Sequence, residues 1–179
     1  YLLLPDLAIG ANGAVRSVQL AGHVPPEELS GRVVMTDLSA TSQVLLEILL
    51  DELWSVDIEC EVESVAFPDV LRQVEAVMLI GDVALKVDSC RPSFLNVTDL
   101  GEAWLKLTGL PMVFAVWAVR REIAQQRPDD VARLAAGLRE SLDWSLQRLP
   151  EVAASAEARG AIVSLENLTR YFATLDYGF

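Results

Sequence analysis

Five consecutive apolar residues followed by Gly-Asp stand near the middle of the chain, in Ala76-Val-Met-Leu-Ile-Gly-Asp-Val-Ala-Leu85. A strand that is apolar at every position is typical of a parallel strand covered on both faces. Gly81 and Asp82 follow this strand at its carboxyl end, where ligands bind in open α/β sheets. The segment therefore predicts a sheet with a functional edge.

Strand-like and helix-like patterns alternate on the amino-terminal side of this segment. Residues 1–9 and 14–20 read as strands around a Gly-Ala-Asn-Gly turn, and 32–36 is a β-branched run. Residues 57–65 alternate between apolar and acidic, which predicts a half-exposed strand near a sheet edge. A helical pattern ends at Trp54, and its predicted buried stripe is Val44, Leu45, Ile48, Leu49 and Leu53.

The carboxyl-terminal side continues the alternation. Residues 99–107 read as a helix that Gly109 and Pro111 stop, and 112–119 read as a second buried strand that includes Trp117. A long amphipathic helix begins at Pro128, and 151–159 and 165–175 are further helices. The inward positions of the long helix are Val131, Leu134, Leu138, Leu142, Leu146 and Leu149. The predicted fold class is α/β.

Composition excludes several classes of protein. The chain has 179 residues and a formal net charge of -12, which argues against nucleic acid and anionic membranes as partners. No apolar run approaches the roughly 18 residues of a membrane span. Cys60, Cys90 and His23 are far apart in sequence, so neither a zinc site nor a Cys–His catalytic pair is expected. The two cysteines are predicted to be reduced thiols in a cytoplasmic protein, although an exported protein with one disulfide stays open.

Candidate ligand-binding residues occur where predicted strands feed predicted helices. Ser39, Thr41 and Ser42 stand at a helix start, where free N–H groups and the helix dipole favour an anion. The alternative is that Ser39 is only an N-cap and the other two fill the first turn. Asp82 has the same two readings, as a site residue or as a cap. Ser17 is a small polar residue in an apolar strand and faces either a cleft or the backbone.

Several segments together resemble chorismate dehydratase of the futalosine route to menaquinone. The most specific is Asp99-Leu-Gly-Glu-Ala-Trp104 with Thr108-Gly-Leu-Pro-Met-Val-Phe-Ala-Val-Trp117. The others are Ala14-Val-Arg-Ser-Val-Gln-Leu20, Asp37-Leu-Ser-Ala-Thr-Ser42, Leu79-Ile-Gly-Asp-Val-Ala-Leu85 and Tyr171-Phe-Ala-Thr-Leu-Asp-Tyr177.

The resemblance implies a fold like the type II periplasmic binding proteins, with a ligand cleft between two α/β lobes. Residues 1–23 and 113–179 would belong to the first lobe, and 24–112 would form the second. Family chains are longer, so the N-terminal part of the first lobe is expected to be absent from this chain. The implied reaction removes water from chorismate to give 3-[(1-carboxyvinyl)oxy]benzoate, without a metal or an organic cofactor.

On this reading, chorismate is a dianion held at strand ends and helix starts. Ser39, Thr41 and Ser42 would hold one carboxylate. Asp82 is a candidate for orienting the leaving hydroxyl or a water, and the catalytic base stays unassigned. The predicted substrate-binding residues are Ser17, Ser39, Thr41, Ser42, Gly81 and Asp82.

Two alternatives remain open from sequence. The sibling enzyme 1,4-dihydroxy-6-naphthoate synthase shares the fold but carries His-Glu where this chain has Gly81 and Asp82. Glycine has no side chain to act as a base, which favours the dehydratase. The second alternative is a non-catalytic solute-binding protein for a small anion. The sequence does not predict the oligomeric state.

Overall fold

The structure is a computed structural model, which describes residues 1–158, 160 and 162–178. The α/β class is confirmed. The strands of the described residues are β1 Leu2–Ala11, β2 Val18–Gly22, β3 Val33–Thr36, β4 Cys60–Glu63, β5 Ala76–Ile80, β6 Asn96–Asp99 and β7 Met112–Val119. Their α-helices are α1 Ala40–Ile48, α2 Gly81–Cys90, α3 Leu100–Thr108, α4 Arg121–Gln126, α5 Pro128–Leu146, α6 Leu149–Ala158 and α7 Leu165–Thr174. Arg159, the predicted end of a helix, lies outside the described residues.

The larger sheet has five strands in the order β4-β3-β5-β2-β6. β3 runs parallel to β4 and β5, whereas β2 runs antiparallel to β5 and β6. β5 is central and buried, as its continuous apolar pattern predicts. β4 is an edge strand, which confirms the prediction from residues 57–65, although the strand is shorter. Arg32 pairs with Glu61 and Glu63 on its acidic face.

Helix α1 packs against this sheet with a different stripe from the predicted one. Leu45, Leu46, Leu49 and Leu50 are buried, and the π-helical turn Leu49–Leu53 extends the contact. The prediction was wrong for Val44 and Ile48, which are exposed. Apolar residues surround most of this helix, so periodicity does not choose the face; contact with the sheet does.

A separate two-stranded sheet pairs β1 with β7 in antiparallel fashion. Helix α5 packs against it, with Leu4, Leu7 and Ala135 at the centre of the contact. The prediction that residues 112–119 are buried was wrong, because Trp117 is 47% exposed. An apolar strand becomes buried only where other elements cover it. Of the predicted inward residues of α5, Val131, Leu138 and Leu142 pack here, whereas Leu134 and Leu146 are exposed.

The chain passes between the two sheets twice. It leaves β1 through residues 12–17 to enter β2, and it returns through 109–111 to β7, where Gly109 ends α3 with a φ of 71°. β2 is hydrogen-bonded into the five-stranded sheet, although the predicted boundary at residue 23 places it in the first lobe. The division into lobes stays a prediction.

Candidate functional site

The predicted site residues lie at one edge of the five-stranded sheet. β3 and β5 are parallel, and β6 points the same way because both β5 and β6 are antiparallel to β2. The carboxyl ends of these three strands therefore share an edge, and α1, α2 and α3 begin there. Ser17 precedes β2, which enters at the same edge because Val18 pairs with Ile80. Parallel topology thus brings distant segments of the chain to a common surface.

Ser17 lies just outside a strand, and the prediction that it is inside one was wrong. β2 begins at Val18, and Arg16 adopts a left-handed conformation with a φ of 65°, which bends the chain there. The Ser17 carbonyl accepts the N–H of Gly81 at 2.9 Å. The Ser17 hydroxyl accepts a hydrogen bond from the Tyr171 hydroxyl at 3.3 Å. The Ser17 N–H donates to the Val15 carbonyl at 2.8 Å, and the bend leaves the Ser17 carbonyl and hydroxyl to contact α2 and α7.

Helix α2 begins without a side-chain cap in the described part of the chain. Ile80 is at the N-cap position, so the alternative reading in which Asp82 caps the helix was wrong. Asp82 is exposed in the first turn. Gly81 has a φ of 62°, a conformation that a residue with a Cβ adopts at a cost. The first turn of α2 thus presents backbone N–H groups and the positive end of the dipole beside Ser17.

Helix α1 begins with its serines hydrogen-bonded to each other. The Ser39 Oγ accepts the backbone N–H of Ser42 at 3.3 Å and donates to the Ser42 Oγ at 2.9 Å. The capping reading of Ser39, which the spacing left open, is therefore the one that the structure shows. Ser42 is buried, whereas Thr41 is exposed in the first turn. Of the three hydroxyls, that of Thr41 is the most accessible to a ligand.

Helix α3 begins at a residue whose tertiary role the sequence did not reveal. The Asp99 side chain, 3% exposed, accepts five hydrogen bonds. Two come from its own helix start and cap α3. The others come from the backbone of Val15 and Arg16 and from the Gln19 amide. Asp99 thereby fixes the crossover that carries Ser17. The capping position was predictable from the sequence, whereas the partners 80 to 84 positions away were not.

One buried carboxylate near this edge is paired with two arginines. The Arg16 guanidinium lies 3.3 Å from Asp88, whose other oxygen meets Arg91 at 3.0 Å. Asp88 is buried, so its position between two arginines offsets the cost of burying its charge. Positive potential for an anion would then come mainly from the helix N-termini.

Helix α7 brings Tyr171 to the site. Leu168 of α7 is buried with Ala153 of α6 and Leu85 of α2, and Tyr171 packs at the margin of this cluster. The Tyr177 hydroxyl donates to the Phe172 carbonyl at 3.0 Å, and burial raises the pKa of Tyr177 to about 12. Sequence reasoning did not identify Tyr171 as a site residue. Its only signal was its place in the closing segment of the resemblance.

Neither a metal site nor a membrane span emerges from the described ranges. Within residues 1–158, 160 and 162–178, no three His, Cys, Asp or Glu side chains are grouped so that they could hold a metal ion. Across the same residues, no helix combines the length and hydrophobicity that crossing a bilayer requires.

Solved structures support the fold. A protein of Archaeoglobus fulgidus superposes with a TM-score of 0.66 at 18% identity, covering 98% of this chain and 62% of the other. The ligand-binding component of an ABC-type import system from Staphylococcus aureus superposes with a TM-score of 0.59 at 12% identity, covering 97% and 60%. At these identities the likeness concerns the fold alone.

Sequence comparison identifies the family. Chorismate dehydratase of Thermus thermophilus is 37% identical over 171 residues, covering 88% of this chain and 60% of the relative. The chain thus spans about three fifths of that relative's length. A family model described as menaquinone biosynthesis matches residues 1–179. These matches confirm the resemblance drawn from the Asp99–Trp117 region, and the chain belongs to the menaquinone biosynthesis family.

Proposed function

We propose that this protein dehydrates chorismate to 3-[(1-carboxyvinyl)oxy]benzoate, in the cytoplasm, as the first step of the futalosine route to menaquinone. The observation that carries the proposal is the 37% identity with a chorismate dehydratase, which extends over 88% of this chain. The shared sheet edge supports it, because hydroxyls and helix N-termini converge there and suit a carboxylated ligand.

The reaction is an elimination and needs no change of oxidation state overall. The C–H bond beside the ring hydroxyl breaks, the C–O bond to that hydroxyl breaks, and water leaves. The electron pair of the C–H bond completes an aromatic ring, which supplies the driving force. The protein is therefore required to position a dianion and to assist transfer of one proton.

Two of the helix starts bind the substrate in this proposal. The first turn of α2, with the Ser17 hydroxyl, binds one carboxylate of chorismate through backbone N–H groups. The first turn of α1 binds the other, with the exposed Thr41 hydroxyl as its principal side-chain donor and Ser39 and Ser42 holding that turn in place. Asp82, exposed on the first turn of α2, orients the leaving hydroxyl or a water. No base is assigned among the described residues.

We further infer a two-lobed architecture like that of type II periplasmic binding proteins. The five-stranded sheet would be the core of one lobe, and the β1–β7 sheet would belong to the other. Although α5 packs against this sheet, Trp117 and Val116 of β7 are exposed, and β1 is the only strand that pairs with β7 among the described residues. We therefore expect further strands of the complete protein to cover β7 and to contribute to the cleft.

Incubation of the complete gene product with chorismate tests the proposal, with chromatography and mass spectrometry as the measurement. A product lighter by one water, with an aromatic ultraviolet band, is expected, and the Ser17→Ala variant should form it at least about tenfold more slowly. Replacing both Thr41 and Ser42 by Ala should raise KM. An unchanged KM would remove their role in binding.

One observation favours a second candidate, a binding protein that does no chemistry. The fold is shared with the ligand-binding component of an import system. Intact chorismate after incubation, together with calorimetric binding of chorismate, would support this candidate against the dehydratase. Intact chorismate without binding would direct attention to the substrate of 1,4-dihydroxy-6-naphthoate synthase.

A further inference from the structure

The hydrogen bond between Ser17 and Tyr171 joins two segments 154 positions apart, at the point where α2 begins. Ser17 is held on its other side, because its carbonyl accepts the N–H of Gly81. Tyr171 is placed by α7, which packs on α6 and on Leu85 of α2. The two hydroxyls therefore meet through separately anchored elements, and neither residue is a neighbour of the other by local chain geometry.

We propose that Tyr171 is a positioning residue that orients the Ser17 hydroxyl toward a carboxylate bound at the start of α2. This inference rests on the proposed function for the identity of the ligand. The tyrosine hydroxyl donates and the serine oxygen accepts, so the single proton of Ser17 is left to donate to a third group. With the N–H groups of α2 beside it, the natural third group is an anion.

The geometry suits a contact that strengthens when ligand binds. The separation of 3.3 Å between the two oxygens is longer than the usual O–H···O distance of roughly 2.5–3.0 Å. Hydrogen bonds of this kind often tighten in the substrate complex. Donation from Tyr171 also polarises Ser17, because linked hydrogen bonds strengthen one another, and a charged acceptor increases the effect.

A double-mutant cycle on the complete gene product separates this role from simple packing. Tyr171→Phe keeps the ring that lies 5.4 Å from Phe172 between centroids and removes only the hydroxyl. We expect it to lower kcat/KM about fivefold to tenfold, as loss of one hydrogen bond to a reacting complex does. In the Ser17→Ala background, the same change should cost less than about twofold, because its partner is already gone.

Tyr177→Phe is the matched control. It removes the other tyrosine hydroxyl of this region, which donates to the Phe172 carbonyl and does not contact Ser17. Any effect of Tyr177→Phe should be the same with Ser17 or Ala at position 17. Equal losses from Tyr171→Phe in both backgrounds would overturn the proposal and reduce Tyr171 to a structural residue.

The same cycle is measured on binding of isophthalate, an aromatic dicarboxylate that has no hydroxyl to lose, by calorimetry. If the wild-type protein binds isophthalate with the coupling described but leaves chorismate intact, the dehydratase proposal fails and the role of Tyr171 stands. If chorismate is dehydrated but the losses are additive in both assays, the role of Tyr171 fails and the dehydratase stands. Absence of both turnover and binding would refute both proposals.

Discussion

Replacement of Asp99 by Asn tests how the site is held together. Asn is close to Asp in shape, but one of its two terminal atoms is an NH₂ group, which donates and does not accept. In the native site, Oδ1 accepts from Val15, Gly101 and Glu102, and Oδ2 accepts from Arg16 and Gln19 at 2.6 and 2.7 Å. The best orientation of Asn keeps the first three bonds and turns its NH₂ toward the last two donors.

The expected loss of stability follows from those two contacts. Each hydrogen bond to a charged acceptor contributes about 1.5–3 kcal/mol, and a buried donor left unpaired carries a comparable penalty. The Gln19 side chain is 0% exposed, so water cannot replace the lost acceptor without rearrangement. Asp99→Asn should therefore lower the free energy of unfolding by about 3–5 kcal/mol. Because Arg16 adjoins Ser17, turnover of chorismate should fall even under conditions where the variant is folded.

Urea denaturation followed by circular dichroism measures the free energy of unfolding, with Asp129→Asn as the control. Asp129 is exposed in the first turn of α5, where loss of its charge should cost about 0.5 kcal/mol. A loss below about 1 kcal/mol for Asp99→Asn would refute the reasoning. It would mean that the five hydrogen bonds contribute no more than an exposed charge at a helix start.

Three further predictions concern stability and thiol chemistry. Gly101→Ala should destabilise the protein by about 2–4 kcal/mol, because the new Cβ would lie 2.6 Å from the Gly13 carbonyl oxygen. Gly137→Ala lies in open space within α5 and should stabilise the protein by about 0.5–1 kcal/mol. Denaturation midpoints in the opposite order would contradict this prediction. Burial, with the nearby charge of Glu47, raises the pKa of the Cys60 thiol to about 11, so only about one Cys60 in a thousand is a thiolate at pH 8. Alkylation mapped by mass spectrometry should therefore modify the exposed Cys90 first. The free energy of unfolding should fall from about pH 9 to pH 12. Cys60 and Tyr177, with pKa values of about 11 and 12, keep their protons in the folded state at pH values where the unfolded state has released them. A denaturation midpoint that does not change across that range would disprove this dependence of stability on the two groups.

Local signals in the sequence predicted several elements correctly. β5 has an apolar residue at each of its positions, and it is a buried strand at the centre of the sheet. Asp99 and Gly109 delimit α3, because a carboxylate satisfies the free N–H groups of a first turn and glycine adopts the left-handed conformation at a helix end. These effects depend on residues within a few positions of one another, so residue type and spacing are sufficient to predict them.

Patterns with several possible partners were predicted less well. The helix from residue 40 has apolar side chains on most of its circumference, and only the sheet selects Leu46 and Leu50 in place of Val44 and Ile48. β7 has the composition of a buried strand, but β1 is its only strand partner among the described residues. Burial depends on which elements cover a segment, and a hydrophobic pattern does not specify that.

The candidate site, too, was predictable only where its features depend on neighbouring residues. The sequence by itself determined the membership of the family and the strand-end position of Gly81, because both depend on contiguous residues. Tertiary structure alone decided that Tyr171 meets Ser17 and that Asp99 holds Arg16, across separations of 154 and 83 positions. Such contacts depend on the path of the whole chain through two sheets and the helices around them. Hydrogen bonding acts over about 3 Å, so only the assembled fold brings those atoms within reach.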